Sequence, residues 1–456
     1  MRVLWLRGDL RSYDHAGWSE LGIGDAAVFV LDPGLARHAS PIRRAWLAGA
    51  LGEIDDWTDH RLSLLHARHG DELAAIFAAW GATEVLTHQG VAPGIRRRID
   101  ATRRSLEARG IALRVVDSAY AVAPGSLTRP EGGAWRVFGA FWRQWRPAVH
   151  GLGPFEATAP PSLAVTERHF EPADLRPPDQ PLLTPQRTAL ERLERFVDSR
   201  LAHYAADRDR PAVAATSELS PALHIGAIHP RTILAALGDL DRADRFVREL
   251  AWREFYAHAL WHHPDLVDLE LDPTLRQIAW DEGDEADARF RAWCDGRTGF
   301  PIVDAGMREL AATGWLHNRV RMIVASLLVK DLHLDWRRGA AWFEATLADA
   351  DIASNRGNWQ WVAGTGLDAA PYFRVFNPTL QGKKFDPDGH YVRRWVPELR
   401  ACPTSLIHEP WRWVGRENAG YPLPIVDHDR ERREALARYD AARASAPGSP
   451  RARRAT

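Results

Sequence analysis

Lysine is almost missing from this chain. Lys330, Lys383 and Lys384 are its only three among 59 basic residues, the rest being arginine. Acids number 60, and the formal net charge of −1 leaves no global positive field. A nucleic-acid partner would need a local basic patch. Cysteine is equally scarce: Cys294 and Cys402 lie far apart, in neither a metal spacing nor a disulfide framework. That fits a reducing cytoplasm. No apolar run approaches the ~20 residues that span a bilayer. The opening residues, MRVLWLRGDLRSYDH, lack the apolar stretch of a secretion signal. The chain is thus expected in the cytoplasm, with no membrane partner. His262 and His263 are adjacent and cannot share a helix face, so no metal site is expected. There is no P-loop and no G-x-S-x-G. GTGLDA at 364–369 fits G-x-G-x-x-A, but no strand precedes it in a βαβ unit. Against these absences stand 20 tryptophans. Indoles at that density need a reason, because each buried N–H wants a partner.

With 456 residues and 45% apolar composition, two to three cores are expected at roughly 100–200 residues per domain. Short apolar runs at 3–7, 26–32, 62–67, 84–89 and 113–118 alternate with helical segments such as PIRRAWLAGALGEIDDWTD. This alternation predicts a doubly wound α/β domain with a parallel five-stranded sheet, over 1–130. Any ligand is expected at the carboxyl ends of its strands. Proline-rich, aperiodic sequence around 151–185 marks a long connector, taken as 131–190. Helical patterns dominate an all-α domain over 191–440. The tail 441–456 has no apolar face and is expected to be disordered.

Four stretches carry candidate chemistry. In FVRELAWREFYAHALWHHP, 246–264, Glu249, Trp252, Arg253 and Tyr256 recur at helical spacings of three and four, on one face. They suit the wall of a site, or an amphipathic surface with buried aromatics. GWLHNRVRMIVASLLVKDLHLDW, 314–336, reads as one buried helix, with Asn318 and Met322 on one face and Arg321 beside them. A buried arginine needs an anion, which Asp349 or Asp351 would supply, as a site element or a plain ion pair. In ATSELSPALHIGAIHP, Thr216, Ser217 and Ser220 precede a helix, as a phosphate seat or an ordinary cap. The densest stretch is DADIASNRGNWQW, 349–361, where acids and amides lead into Trp359 and Trp361.

The motifs TSELSP, ELAWREFY, TGFPIVDAGMREL, TGWLHNRVRMIVASLLVKDL, DIASNRGNWQW and APYFRVFNPTLQGKKFD, in this order, resemble the photolyase/cryptochrome family of flavoproteins. The resemblance implies an α/β antenna-type domain, a long linker and an all-α FAD-binding domain. It places Tyr204, Thr216, Ser217, Glu218, Leu219 and Ser220 on the phosphate side of FAD. Asp349, Ala350 and Asp351 fall near the flavin and its sugar, with Arg321 paired to Asp349. Asn355 faces flavin N5, and Asn318 contacts both the adenine side and the lesion. Trp359, Trp336 and Trp280 match a relay that carries an electron from the surface to photoexcited FAD. Trp252 and Trp361 match the two aromatics that sandwich a pyrimidine dimer flipped out of DNA, as photolyases do. Glu249 matches the acid that hydrogen-bonds the lesion, and Met322 packs beside it. Arg208, Arg253, Tyr256, Arg319, Arg374, Gln381 and Lys383 fall on the DNA-facing side.

Glu249, Trp252, Asn318, Met322, Asn355 and Trp361 together resemble the class I branch that repairs cyclobutane pyrimidine dimers. The implied reaction is light-driven electron transfer from reduced FAD to the flipped dimer, ring splitting and return of the electron. The iron–sulfur branch needs four cysteines. Ile95 and Arg96 stand where folate-binding members carry Asn-Glu, so a folate antenna is disfavoured. A deazaflavin antenna, or none, is the remaining choice. Two rival readings stay open: a cryptochrome-like blue-light receptor without repair, and a DNA-binding module without catalysis. The implied partner is UV-damaged DNA carrying cyclobutane dimers, in the bacterial nucleoid, bound by a monomer.

Overall fold

The computed structural model describes residues 1–32, 39–155, 162–368 and 374–444. The chain divides into two compact units whose segments alternate along the sequence. The first is built from Met1–Ala205, Thr216–Pro264 and Ala348–Ala353. The second comprises Ala206–Ala215, Asp265–Leu347 and the chain from Ser354 on.

The first unit holds five parallel strands: β1 (Arg2–Leu6), β2 (Ala26–Leu31), β3 (Ser63–His66), β4 (Glu84–Gln89) and β5 (Ala112–Ser118). Their order is β3-β2-β1-β4-β5. β2, AAVFVL, is buried throughout, as expected of a strand covered on both faces. Ala26, Val28, Val3, Trp5 and Val85 pack against Leu73, Phe77, Ile99 and Leu106 of the flanking helices. The strand order reverses at β1, and there Arg7, just past its carboxyl end, donates to Thr87 Oγ1 of β4 at 3.1 Å. Helix Pro41–Trp57 begins with Ser40 accepting from the Arg43 N–H and with proline at its first position. Helix Phe138–Ala148 lies within the stretch read as connector.

Close backbone contact knits this unit together. Gly226 has φ +76°, and a Cβ there would fall 2.6 Å from Asp9 Cα. Only glycine adopts that turn without strain and lets the two segments touch. Arg11, buried, donates to the Gly226 carbonyl at 3.3 Å and pairs with Asp117 at 3.2 Å.

The second unit is helical among its described residues. Its main elements are Asp284–Cys294, Pro301–Thr313, Asn318–Ser326, Trp336–Thr346, Ile352–Ala363, Pro378–Phe385, His390–Trp395 and His428–Ala444. The expected single helix over 314–336 is broken into parts. It starts at Asn318, where the His317 ring accepts from the Arg319 N–H. From Leu327 to Asp331 it widens into a π turn, and the Leu332 N–H returns to the Leu327 carbonyl at 2.9 Å. His333 then takes φ +53°, and Asp335 caps a new helix at Trp336. Apolar periodicity continues through all of this, which is why the break was invisible in the pattern. At the other end, 441–444 belong to helix His428–Ala444, and the rest of the expected tail lies outside the described residues. No helix among the described residues is long and apolar enough to cross a membrane.

Candidate functional site

In the first unit the site begins on helix Asp244–His262. Glu254 is its anchor. This buried carboxylate accepts from the Ala121 and Val122 N–H groups at 2.6 and 3.0 Å and from the Trp145 indole at 2.6 Å. Burial raises its pKa to about 7, against the opposing pull of those donors. With that turn fixed, Trp252 lies parallel to Phe138, ring centroids 3.9 Å apart and planes 5° apart. One indole face is thus occupied by the protein. Tyr256 sits 5.7 Å from the same ring. Glu249 lies one turn earlier and is half-buried.

Arg253, which the resemblance puts on the DNA-facing side, is held by backbone carbonyls. It is half-buried and donates to the Ala119 and Leu223 carbonyls at 2.9 and 3.3 Å. Its guanidinium also lies 4.2 Å from the Tyr120 ring centroid. The Tyr120 hydroxyl, which bonds Asp351, is held well above its ordinary pKa, first by burial and then by the Asp351 charge. Burial also lowers the His224 pKa, while Asp351 and Asp349 oppose it. Tyr120, His224, Arg253 and the two acids therefore form one electrostatic cluster.

Helix Ser220–Ile225 starts after Leu219, and no side chain caps it. The ordinary N-cap role considered for Thr216, Ser217 and Ser220 is not taken up. Glu218 adopts φ +55° and is fixed by Arg192, which donates to its carbonyl at 2.8 Å, and by Arg200 at its carboxylate, 3.3 Å away. Tyr204 packs edge-on against Phe196 and Phe246.

In the second unit Asn318 is exposed and Met322 half-buried on the same helix. Arg321 donates to the Leu316 carbonyl at 2.8 Å. Arg319 pairs with Asp209 at 2.9 Å and covers the Phe385 ring at 4.4 Å. Arg208 lies 3.9 Å from Asp209. Both arginine side chains are mostly covered, at 19% and 11% exposure, so neither is an open rim cation. Lys383 is exposed and pairs with Glu409 at 2.6 Å, Arg374 is exposed, and the Gln381 side-chain oxygen is buried with no hydrogen-bond partner among the described residues.

Helix Ile352–Ala363 carries the remaining candidates. The Asn355 amide donates to the Ala340 carbonyl and to Glu344, both at 3.0 Å. Arg356 grips Glu344 with two bonds of 2.6 and 2.8 Å. Trp359 is buried and Trp361 half-buried. Trp359 lies over Gly339, one turn on from Trp336, and a Cβ there would come 2.6 Å from its Cζ3. Trp293, which the sequence reading passed over, meets Trp359 edge-on at 6.2 Å. Trp280 is half-buried, on a segment held by Arg438, which donates to the Ala279 carbonyl and pairs with Asp281. Trp293, Phe138 and Tyr120 gave no signal of their own in the sequence, because each gains its place from a partner distant along the chain.

Two family models match: DNA photolyase over residues 2–162, and the FAD binding domain of DNA photolyase over 246–441. A deoxyribodipyrimidine photo-lyase of Vibrio cholerae is 37% identical, over 97% of this chain and all of its own length. Another, of Agrobacterium fabrum, is 37% identical over 96% of this chain and 97% of its own. Among solved structures, a bacterial class III photolyase from Agrobacterium tumefaciens has a TM-score of 0.89 at 36% identity, covering 97% of each chain. A Synechocystis cryptochrome has a TM-score of 0.84 at 26% identity, covering 96% of this chain and 98% of that one. Full-length identity of this order, joined to the five-stranded sheet and the helical second unit, makes this chain a member of the DNA photolyase family.

Proposed function

We propose that this chain repairs cyclobutane pyrimidine dimers in DNA, with Glu249, Trp252 and Trp361 receiving the lesion. The chain is a deoxyribodipyrimidine photo-lyase and its cofactor is FAD. When bound and reduced, FAD supplies the photoexcited electron. The donor set of the first unit fits a dinucleotide. Thr216, Ser217 and the uncapped first turn at Leu219 and Ser220 offer hydroxyl and N–H donors to phosphate, and Glu218 and Tyr204 shape that side. Asp349 and Asp351, with Ala350 between them, offer acceptors to sugar hydroxyls. In the second unit, Asn318, Arg321 and Asn355 are the residues that the family motifs assign to FAD, and Trp359, Trp336 and Trp280 are its proposed electron relay.

The observation that carries the lesion site is the Trp252–Phe138 stack. It holds an indole flat, and a base stacked on that indole would offset the few kcal/mol of unstacking. Tyr256 braces the same ring. Glu249 is the hydrogen-bonding partner of the pyrimidine edge in the first unit, and Met322 is the thioether that the family motifs assign to the lesion in the second. Arg374, Gln381 and Lys383 face the phosphates. Arg208 and Arg319 set the shape of that surface through Asp209, and Arg253 ties the lesion helix to the Asp351 cluster. Arg96 supports the reading against a folate antenna: it donates to the Trp261 carbonyl at 2.8 Å and stacks 4.0 Å over that ring. A deazaflavin is the antenna proposed. The chain acts as a cytoplasmic monomer on the nucleoid, with the class I assignment resting on Glu249, Trp252, Asn318, Met322, Asn355 and Trp361.

The test is repair itself. The reduced protein is mixed with a thymine-dimer oligonucleotide in blue light and in darkness. Dimers should vanish only in the light, and Glu249→Ala should repair about ten- to a hundredfold more slowly while retaining FAD, since one charge-assisted hydrogen bond contributes about 1.5–3 kcal/mol. Bound FAD without repair by the native chain would favour a blue-light receptor instead.

A further inference from the structure

Trp336 and Trp293 are both buried indoles, yet their N–H groups end on different acceptors. Trp293 donates to a neutral backbone carbonyl, that of Val324, at 2.9 Å. Trp336 donates to the carboxylate of Glu270 at 3.0 Å. Glu270 is itself only 2% exposed. A carboxylate withdrawn from water is unfavourable unless it is paired and hydrogen-bonded. Here its second oxygen accepts from Arg337 at 2.7 Å. Its backbone is fixed as well. The Gln360 side chain donates to the Leu266 and Leu269 carbonyls at 2.9 Å each and accepts from the Leu271 N–H at 3.2 Å. Arg276 donates to the Glu270 carbonyl at 3.1 and 3.0 Å.

The charges around the ring are unequal. The Arg337 guanidinium lies 4.7 Å from the Trp336 ring centroid and that of Arg356 lies 5.9 Å away. Two cations at this range oppose positive charge on the indole. Arg356 is neutralised by Glu344, away from the ring. Glu270 alone combines contact with the indole N–H and pairing with the nearer guanidinium.

We infer that Glu270 is the counter-charge of oxidised Trp336, and so sets whether an electron can pass through the relay. This rests on reading Trp336 as the middle member of that relay. In the step concerned, one electron leaves Trp336 for oxidised Trp359. Trp359 returns to its neutral form, and the positive charge resides on Trp336 until an electron arrives from Trp280. The N–H proton stays on the indole, in the hydrogen bond to Glu270. Glu270 is a positioning residue: it contacts neither the flavin nor the lesion in this scheme.

The test compares Glu270→Gln with Trp336→Phe. Glutamine keeps an acceptor of the same shape and removes only the charge. Photoreduction of the FAD-loaded protein, with an external thiol as donor, should slow by about tenfold or more in Glu270→Gln, as loss of a contacting buried charge implies. Glu270→Asp should restore part of it. In a Trp280→Phe background, where the charge halts at Trp336, transient absorption should show faster recombination when Glu270→Gln is added. Repair by chemically reduced Glu270→Gln should match the native protein, reporting an intact fold. In flavin-free protein, the Trp336 indole 15N–1H resonance should move in Glu270→Gln. If Trp336→Phe abolishes photoreduction while Glu270→Gln photoreduces and recombines like the native chain, the role of Glu270 is overturned and the relay stands. If Trp336→Phe photoreduces normally, the relay reading fails and this inference with it. An unmoved indole resonance would also overturn it.

Discussion

Glu254→Ala should destabilise the protein by about 3 kcal/mol, because it strands one buried indole donor and two half-buried N–H groups at once. The half-buried Ala121 and Val122 N–H groups and the fully buried Trp145 indole all end on this carboxylate. Urea unfolding should register the loss. The functional consequence is specific, since Glu254 shares its helix with Glu249, Trp252 and Tyr256. Loosening its anchor lets that face drift from Phe138, and repair should fall even under conditions where the variant stays folded. The pH dependence has a definite sign. The carboxyl is raised from 4.5 to about 7 in the folded protein. A group shifted upward contributes stability that is fully present below its unfolded pKa and lost as pH rises through its folded value. Between pH 4.5 and about 7 the native chain should therefore lose stability that Glu254→Gln does not. A slope unchanged in Glu254→Gln would show that another group titrates there.

Gly339→Ala should be the second severe variant. Its new methyl would meet the Trp359 ring, with Cζ3 and Cζ2 at 2.6 and 2.7 Å. Trp359 has little room to retreat, because Phe343 lies 5.1 Å and Trp293 6.2 Å from its ring centroid. Overpacking of this kind costs about 1–3 kcal/mol, and the indole must leave its native rotamer to accept it. Photoreduction should then collapse, while repair by pre-reduced enzyme changes less. Equal losses in both assays would mean that the variant disturbs the lesion site and not the relay alone.

How much of this was readable from residues alone depended on the range of the interaction. All five strands appear within a residue or two of their apolar runs; for a strand such as β2, covered on both faces, the run is a continuous apolar stretch. Helix Asp244–His262 and its face of Glu249, Trp252, Arg253 and Tyr256 follow from three-and-four spacing. The break in 314–336 does not, since a π turn and a left-handed His333 leave the apolar pattern untouched. The spacing of Arg253 likewise gave its helix face but not the carbonyls it binds at Ala119 and Leu223. Glu270 was wholly silent: its partner Trp336 is 66 residues away, and nothing local marks an acid that ends on an indole N–H. The roles assigned to Thr216–Ser220, Asp349 and Asn355 came from ordered motifs, not from periodicity, which sees neighbours and not ligands.

The alternation of segments between the two units has a consequence for synthesis. The first unit takes Ala348–Ala353 from beyond the Asp265–Leu347 segment of the second. A ribosome adding about 5–20 residues per second needs roughly 4–17 s to travel from Pro264 to Ala348. During that interval Tyr120 and His224 are already made, but Asp349 and Asp351 are not, so the cluster they complete must wait. The nascent first unit therefore spends seconds with an unfilled polar interior, a window in which a chaperone or a protease can engage it and a mature chain would be refractory.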